Sequence, residues 1–287
     1  MSDNLRGAVL MALAMAAFAL EDMFIKLLAD ALPLGQVLWM LGLGGAILFG
    51  AVAKARGEAL LFPALLSWPL LLRNLAELIG VLGFVLGFVL GSLAMASAIL
   101  QATPLVVTLG AVLFMGEVVR WRRWSAIAVG FFGVLLIVRP GMSSFEPAAL
   151  FAVIGVLGLA GRDLATRAVP RSISSFQISA WAFAMVIPAG IGLMLAMNDA
   201  MVAPDPKSTL TLSAALLVGV LGYYAVVGAM RVGELSFVTP FRYTRMLFAL
   251  TIAILVFGER PDALTLIGAA IIIAAGLFTL WRETKAA

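Results

Sequence analysis

Leu20-Glu21-Asp22-Met23-Phe24-Ile25-Lys26 is the stretch that decides how the chain is read. The fourteen residues up to it, Gly7 to Leu20, carry no charge. A bilayer crossing takes about 20 residues, so that run is too short by itself. Apolar residues resume at Met23, Phe24 and Ile25, so the span is expected to carry Glu21 and Asp22 into the membrane. Charges at that depth are costly and point to function by default.

The same event recurs downstream. Pro147 to Gly161 is charge-free for fifteen residues, and Arg162-Asp163-Leu164-Ala165-Thr166-Arg167 follows. Asp22 and Lys26 stand four apart, as do Asp163 and Arg167, and 163 − 22 gives an offset of 141. Each pair shares a helix face with the acid N-terminal to the base, the favourable orientation. Two charge-interrupted spans in corresponding places point to a transporter binding region. The plainer alternative is two ordinary helix ends whose long cations reach the interface. Lys26 and Arg167 suit that alternative. Glu21 and Arg162, one step deeper, suit either and are taken as corresponding members of one central polar site.

Of 287 residues, 63% are hydrophobic and 12% charged, and mean hydropathy is +1.13. Soluble domains carry about 25% charged residues, so this is a polytopic membrane protein without a large soluble domain. The apolar runs divide at Gly, Pro and charge into ten candidate helices: 5–28, 34–53, 69–91, 93–115, 122–138, 147–166, 175–196, 209–230, 235–257 and 263–281. There is no Cys and no His. That removes disulfides, thiol nucleophiles, imidazole bases and nearly all zinc chemistry. No metal or cofactor is expected, and there is no Gly-rich phosphate loop of the ATPase kind.

The net charge of +4 reflects placement, not nucleic acid as a partner. With the N-terminus inside, eleven Lys and Arg fall in cytoplasmic segments: Arg6, Lys54, Arg56, Arg120, Arg122, Arg123, Arg167, Arg171, Arg231, Arg282 and Lys285. Four fall outside: Lys26, Arg139, Lys207 and Arg260. That asymmetry is the positive-inside rule and puts both termini in the cytoplasm.

The third span carries Arg73 and Glu77, four apart, and a stripe of Glu77, Val81, Phe84 and Phe88 that faces either lipid or a cavity. Beside it Gly80, Gly83, Gly87 and Gly91 form a small-residue stripe suited to close helix packing. The fourth span holds Gln101, read as interhelical glue or a ligand contact, and Pro104, which should kink it. The eighth carries Tyr223 and Tyr224, and the ninth Pro240, Arg242, Tyr243 and Arg245. Arg242 and Arg245 require relief of their charge, and Glu21 or Asp22 can provide it.

Glu117 plus 142 is Glu259, Gly91 plus 142 is Gly233, and Trp39 plus 142 is Trp181. With the Asp22/Asp163 offset these matches indicate two five-helix copies, 1–143 and 144–287. Five is odd, so the second copy enters the membrane from the opposite side, giving inverted repeats with a site near the midplane.

These marks resemble the drug/metabolite transporter superfamily, EamA type. They are a small-residue first span ending in Lys26, Pro104 followed by Gly116-Glu117, then Gly130 and Gly133, and a second copy ending Gly258-Glu259. Within it the chain is most similar to aromatic amino-acid exporters of the YddG type. It departs at Phe18, Ala19 and Glu21, where the family has an aromatic-Gly pair and an amide, and at Met246, where it has a proline. The resemblance implies facilitated or proton-coupled movement of small organic solutes, usually outward, across the bacterial inner membrane. The expected site comprises Glu21, Gln101, Arg162, Arg242 and Arg245, with Phe84, Phe88, Tyr223, Tyr224 and Tyr243 as aromatic walls and Pro104 and Pro240 as hinges. Such a pocket suits an amphipathic solute such as an aromatic amino acid. The alternatives are an exporter of other metabolites or cationic drugs in the same family, a carboxylate enzyme built on Glu21, Asp22, Glu77 or Asp163, and a non-transporting scaffold.

Overall fold

The structure, a computed structural model, describes residues 3–116, 121–170, 172–232 and 238–284. Glu117, Arg120, Arg171, Gly233 and Lys285 lie outside the described residues, as do the side chains of Arg122, Arg123, Arg231 and Arg282. The described residues are helical, with no strand. The helices are α1 (Asp3–Ala29), α2 (Leu34–Ala55), α3 (Trp68–Leu90), α4 (Leu93–Leu100), α5 (Thr103–Met115), α6 (Trp121–Val138), α7 (Ala148–Arg167), α8 (Ser175–Met197), α9 (Pro206–Val232), α10 (Thr244–Leu255) and α11 (Ala263–Thr284). Short 3₁₀ turns precede α3 (Pro63–Leu66) and α10 (Thr239–Tyr243).

Among the described residues, seven spans are long and apolar enough to cross a membrane: α1, α2, α3, α4 with α5, α7, α8 and α9. The α1 helix runs unbroken through Glu21 and Asp22, and its 27 residues reach about 40 Å, more than the hydrocarbon core requires. The fourth predicted span differs from expectation. It is not a kinked rod but two helices meeting at Gln101 and Ala102, with Pro104 in the first turn of α5. Proline lacks an N–H, which costs nothing in a first turn. Pro240 likewise starts the 3₁₀ turn before α10. Both prolines therefore begin a helical segment.

The bundle is assembled from pairs. α3 packs along α7, α2 along α8, α1 along α9 and α6 along α11, while α1 also meets α10 and α7 meets α4 and α5. Exchanging the first five spans for the last five, in order, leaves the α2–α8 and α6–α11 pairings unchanged and turns each of the others into another member of the set. Close approach is set by glycine. A Cβ on Gly83 would lie 2.5 Å from the Gly155 nitrogen, and one on Gly158 would press on that of Gly80. Gly35 and Gly190 face each other in the same way across α2 and α8. The glycine stripe on α3 is thus a packing face, as its spacing suggested.

Loops are tied across the molecule by two glutamines 141 positions apart. Gln36, at the start of α2, donates to the Val202 carbonyl at 2.6 Å and accepts from its N–H at 2.9 Å. Gln177, at the start of α8, donates to the Ala59 carbonyl at 2.5 Å. It also completes a capping box with Ser174. Each half of the chain thereby holds a loop of the other.

The main core fills the half of the bundle away from the chain termini. Leu28, Phe88, Ile137, Ala149 and the whole of Leu93–Ile99 are buried there. At that end Lys26 does not reach out to the interface, as a long terminal cation was expected to. It bonds to Glu259 Oε1 at 2.8 Å and to the Gly91 carbonyl at 3.1 Å. Burial pushes the Glu259 carboxyl up, but Lys26 and the N–H groups of Ala94 and Leu93 outweigh it and hold the carboxyl below its usual range.

The α3–α7 contact admits a direct check. Gly83→Ala forces backbone apart and is expected to destabilise the purified protein by about 1–3 kcal/mol. Gly192 on α8 has open space around it, so Gly192→Ala should be neutral or stabilising by up to about 1 kcal/mol. Equal shifts of Tm for the two would contradict glycine-set packing.

Candidate functional site

Apart from those near the ends of the spans, eight charged side chains sit in the described spans: Glu21, Asp22, Arg73, Glu77, Arg162, Asp163, Arg242 and Arg245. They arise on α1, α3 and α7 and around the broken ninth span. On one side Asp22 of α1 meets Arg245 of α10, Oδ2 to Nη2, at 2.7 Å. The Arg245 guanidinium lies 5.4 Å from the Phe18 ring centre and 5.3 Å from that of Phe84. Both rings offer their negative faces to the cation. The expectation that a carboxylate on the first span relieves Arg245 is met by Asp22.

On the other side four residues form a chain. Arg73 donates to Glu77 Oε2 at 2.6 Å and to Asn74 Oδ1 at 3.1 Å. Glu77 Oε1 accepts from Arg162 at 3.0 Å, which joins α3 to α7. Arg162 turns its Nε and Nη2 to Asp163, at 2.9 and 2.8 Å. Glu77 is thus shared by two arginines. It was outside the expected site, although its four-residue spacing from Arg73 was the available signal. Arg162 and Asp163 keep 27% and 29% side-chain exposure, against 9% for Glu77, so protein leaves this side of the cluster partly uncovered.

Two charges remain. Glu21 lies against α9, its carboxylate filling the space a Cβ on Gly219 would need. Among the described residues it has no hydrogen-bond partner and no cation within ion-pair distance. Arg242 likewise has no carboxylate within 4 Å among the described residues, yet it lies within electrostatic reach of Asp163, Arg162 and Arg245. Glu21 and Arg162, expected to belong to one central polar site, are not a direct ion pair. Arg162 is held by Glu77 and Asp163, and Asp22 by Arg245, so Glu21 and Arg242 are the members left over.

The aromatic walls divide. Phe84 belongs to the site through Arg245, and Tyr223 stacks edge-on to Phe49 at 5.0 Å near Arg73. Phe88 is fully buried behind Phe84, with ring centres 5.2 Å apart, and is core. Tyr224 is 66% exposed in an apolar outer groove with Leu10, Leu13 and Leu221, a surface suited to lipid. The Tyr243 hydroxyl points at Gly276 of α11, away from the charges, and has no hydrogen-bond partner among the described residues. Gln101 caps α4, but its buried Nε2 makes no bond among the described residues, so the interhelical link is not formed. The sequence did not single out Phe18 as an aromatic wall, because nothing in its spacing ties α1 to Arg245.

Removing one partner of a buried ion pair strands the other charge, at a cost of about 3–5 kcal/mol. Arg245→Ala should therefore lower stability by about that amount, while Arg245→Ala with Asp22→Asn should recover much of it. Additive losses in the double variant would show that the pair is not coupled.

Comparison with known proteins fits this architecture. The model of the EamA-like transporter family matches the chain twice, over residues 5–139 and 146–281. A riboflavin transporter of Rhizobium johnstonii is 29% identical over 282 residues, 97% of this chain and 92% of that protein. An S-adenosylmethionine uptake transporter of Rickettsia felis is 27% identical over 75% of this chain and 72% of its own length. The pseudopaline exporter CntI of Pseudomonas aeruginosa is 26% identical over 95% of each. A solved crystal structure superposes on 97% of this chain and 98% of its own, with a TM-score of 0.60 at 18% identity, which speaks to fold alone. These three relatives are not aromatic amino-acid exporters, and the narrower resemblance to that group is not what they carry. With the family model covering nearly the whole length in two halves, the chain belongs to the EamA-like transporter family.

Proposed function

We propose that the protein is a secondary transporter whose solute is a small ring-bearing zwitterion, bound between two inverted five-helix copies, residues 1–143 and 144–287. The observation that carries this is the pair of leftover charges. In a cluster where six charged groups neutralise one another, Glu21 and Arg242 have no described partner. An unpaired charge in low dielectric is costly, so a ligand that supplies an ammonium for Glu21 and a carboxylate for Arg242 relieves both. The rings of Phe84, Phe18 and Tyr223 give the solute's ring an apolar surface.

The relatives support this class more than one compound. S-adenosylmethionine joins a planar base to a zwitterionic amino-acid end, and an aromatic amino acid is a smaller form of the same chemistry. Riboflavin shares the ring but not the zwitterion. Relatives with both uptake and export in their names support a reading in which direction is set by gradients rather than by the shared fold. Protons fit as the coupling ion, because Glu21 has no fixed cation and can alternate between solute and proton. The Lys and Arg distribution supports the bacterial cytoplasmic membrane with both termini inside. A carboxylate enzyme is disfavoured, since Asp22, Glu77 and Asp163 are all occupied by arginines.

Proteoliposomes holding only this protein should take up radiolabelled phenylalanine, tryptophan or S-adenosylmethionine in preference to a sugar. Glu21→Gln and Arg242→Gln should each reduce that uptake about tenfold or more, as loss of a charged hydrogen bond of about 1.5–3 kcal/mol requires. Both variants should keep or raise their Tm, because neither charge is paired in the fold and each is costly while unpaired. Uptake of the sugar alone, or wild-type flux in both variants, would overturn the assignment.

A further inference from the structure

We propose that Lys26, Glu259 and the first turn of α4 form the gate that closes the solute pathway at the end of the bundle away from the termini. This rests on the transporter reading above. Glu259 follows α10 by four residues and reaches across to α4. Its Oε1 accepts from the Leu93 N–H at 2.8 Å and its Oε2 from the Ala94 N–H at 3.0 Å. Lys26 of α1 closes on the same Oε1 at 2.8 Å and holds the Gly91 carbonyl at 3.1 Å. One carboxylate thus ties α1, the α3–α4 turn, the start of α4 and the segment after α10.

Capping alone does not explain it. The α4 helix already has an N-cap, because Ser92 Oγ accepts from the Met95 N–H at 2.9 Å. Glu259 takes the two remaining N–H groups from 165 and 166 residues away in sequence. It approaches the positive end of the helix, where a carboxylate is favoured. Below the tie, α4 is packed tight: Leu93, Ala94, Ala96 and Ala98 have no exposure and Ile99 has 1%. Above it, Lys26 and Glu259 keep 16% and 14% side-chain exposure, and Glu259 lines a cavity of about 240 Å³ with Ser92, Met95 and Arg260. The contact therefore lies at a boundary between a dry plug and outside water, where water can compete for it.

The α10 segment is also bound to α1 one turn deeper, by Arg245 and Asp22. Asp22 and Lys26 lie on the same face of α1, so the two ion pairs hold α10 at two levels. Release of the outer pair alone lets the end of α10 and α4 separate while the deeper pair acts as the pivot.

The absence of native cysteine makes the test direct. Ile99→Cys places one thiol under the tie, and a membrane-impermeant maleimide is added from the side opposite the termini. Labelling should be slow with Lys26 and Glu259 intact, and at least about tenfold faster with Glu259→Gln or Lys26→Met as the open population grows. Lys26→Arg, which keeps the ion pair, should stay near the slow rate. Should Glu259→Gln not fold, Lys26→Met leaves the carboxylate on α4 and tests the same release. Unchanged labelling in a folded variant overturns the gate. A bis-maleimide bridge between Lys26→Cys and Glu259→Cys should stop whatever flux the unbridged protein sustains, and persisting flux also overturns it. Faster labelling without flux of any tested solute upholds the gate while removing the solute assignment. Flux with unchanged labelling does the reverse.

Discussion

A charge placed in hydrocarbon costs at least about 2.5 kcal/mol, and the centre of this bundle depends on how that cost is met. The structure meets it by making partners of residues far apart in sequence. Asp22 and Arg245 are 223 positions apart, and Glu77 and Arg162 are 85 apart. Each pair spans the first and second halves of the chain. Asp22 and Arg245 would each be stranded in a half by itself, whereas Arg73–Glu77 and Arg162–Asp163 pair within one, so joining the halves stabilises the first pair most. The exposure retained by Arg162 and Asp163 then implies water at the cluster, since lipid would not solvate them.

The second half echoes the first in its polar contacts as well as its apolar pattern. Thr103 Oγ1 donates to the Leu100 carbonyl at 2.7 Å, and Thr244 Oγ1 to that of Phe241 at 2.6 Å. Donor and acceptor are each displaced by 141. Both bonds sit where a span breaks, and freed backbone groups there require such side chains. The glutamine ties repeat nearly so, with the donors Gln36 and Gln177 displaced by 141 and the acceptors Ala59 and Val202 by 143. These coincidences support a two-copy origin more firmly than matching alanines, because a hydrogen bond demands both partners. Broken spans near the midplane are also where a bundle can bend without unpacking its glycine faces.

Much of the architecture was legible in the sequence because hydropathy, proline and glycine act locally. Spans such as 34–53 and 175–196 coincide with α2 and α8 to within two residues. The continuation of α1 past Glu21 followed from Met23–Ile25. The partners were less legible, since a pairing such as Lys26 with Glu259 depends on how distant helices are rotated. Lys26 looked like a cation at an interface because it closes an apolar span and its acidic neighbours in sequence, Asp22 and Asp30, lie on its own helix or just past it. Tyr224 and Tyr243 looked like cavity walls because composition marks a helix as aromatic without saying which face turns inward. Tyr223 and Tyr224 are adjacent, so about 100° of helical turn separates them, enough to put one near Arg73 and the other on the outer surface.

The central claim is that the charged centre is wet and is reached from the terminus end. A single thiol at Gly161→Cys tests it most directly. This position adjoins Arg162, and its nearest neighbour is the Ala76 Cβ, 3.5 Å from where a Cβ would stand, so the side chain is accommodated. A small charged thiosulfonate applied from the terminus side should modify it rapidly, and the same reagent from the other side should not. A thiol inert from both sides would mean a dry, packed centre and would contradict the account.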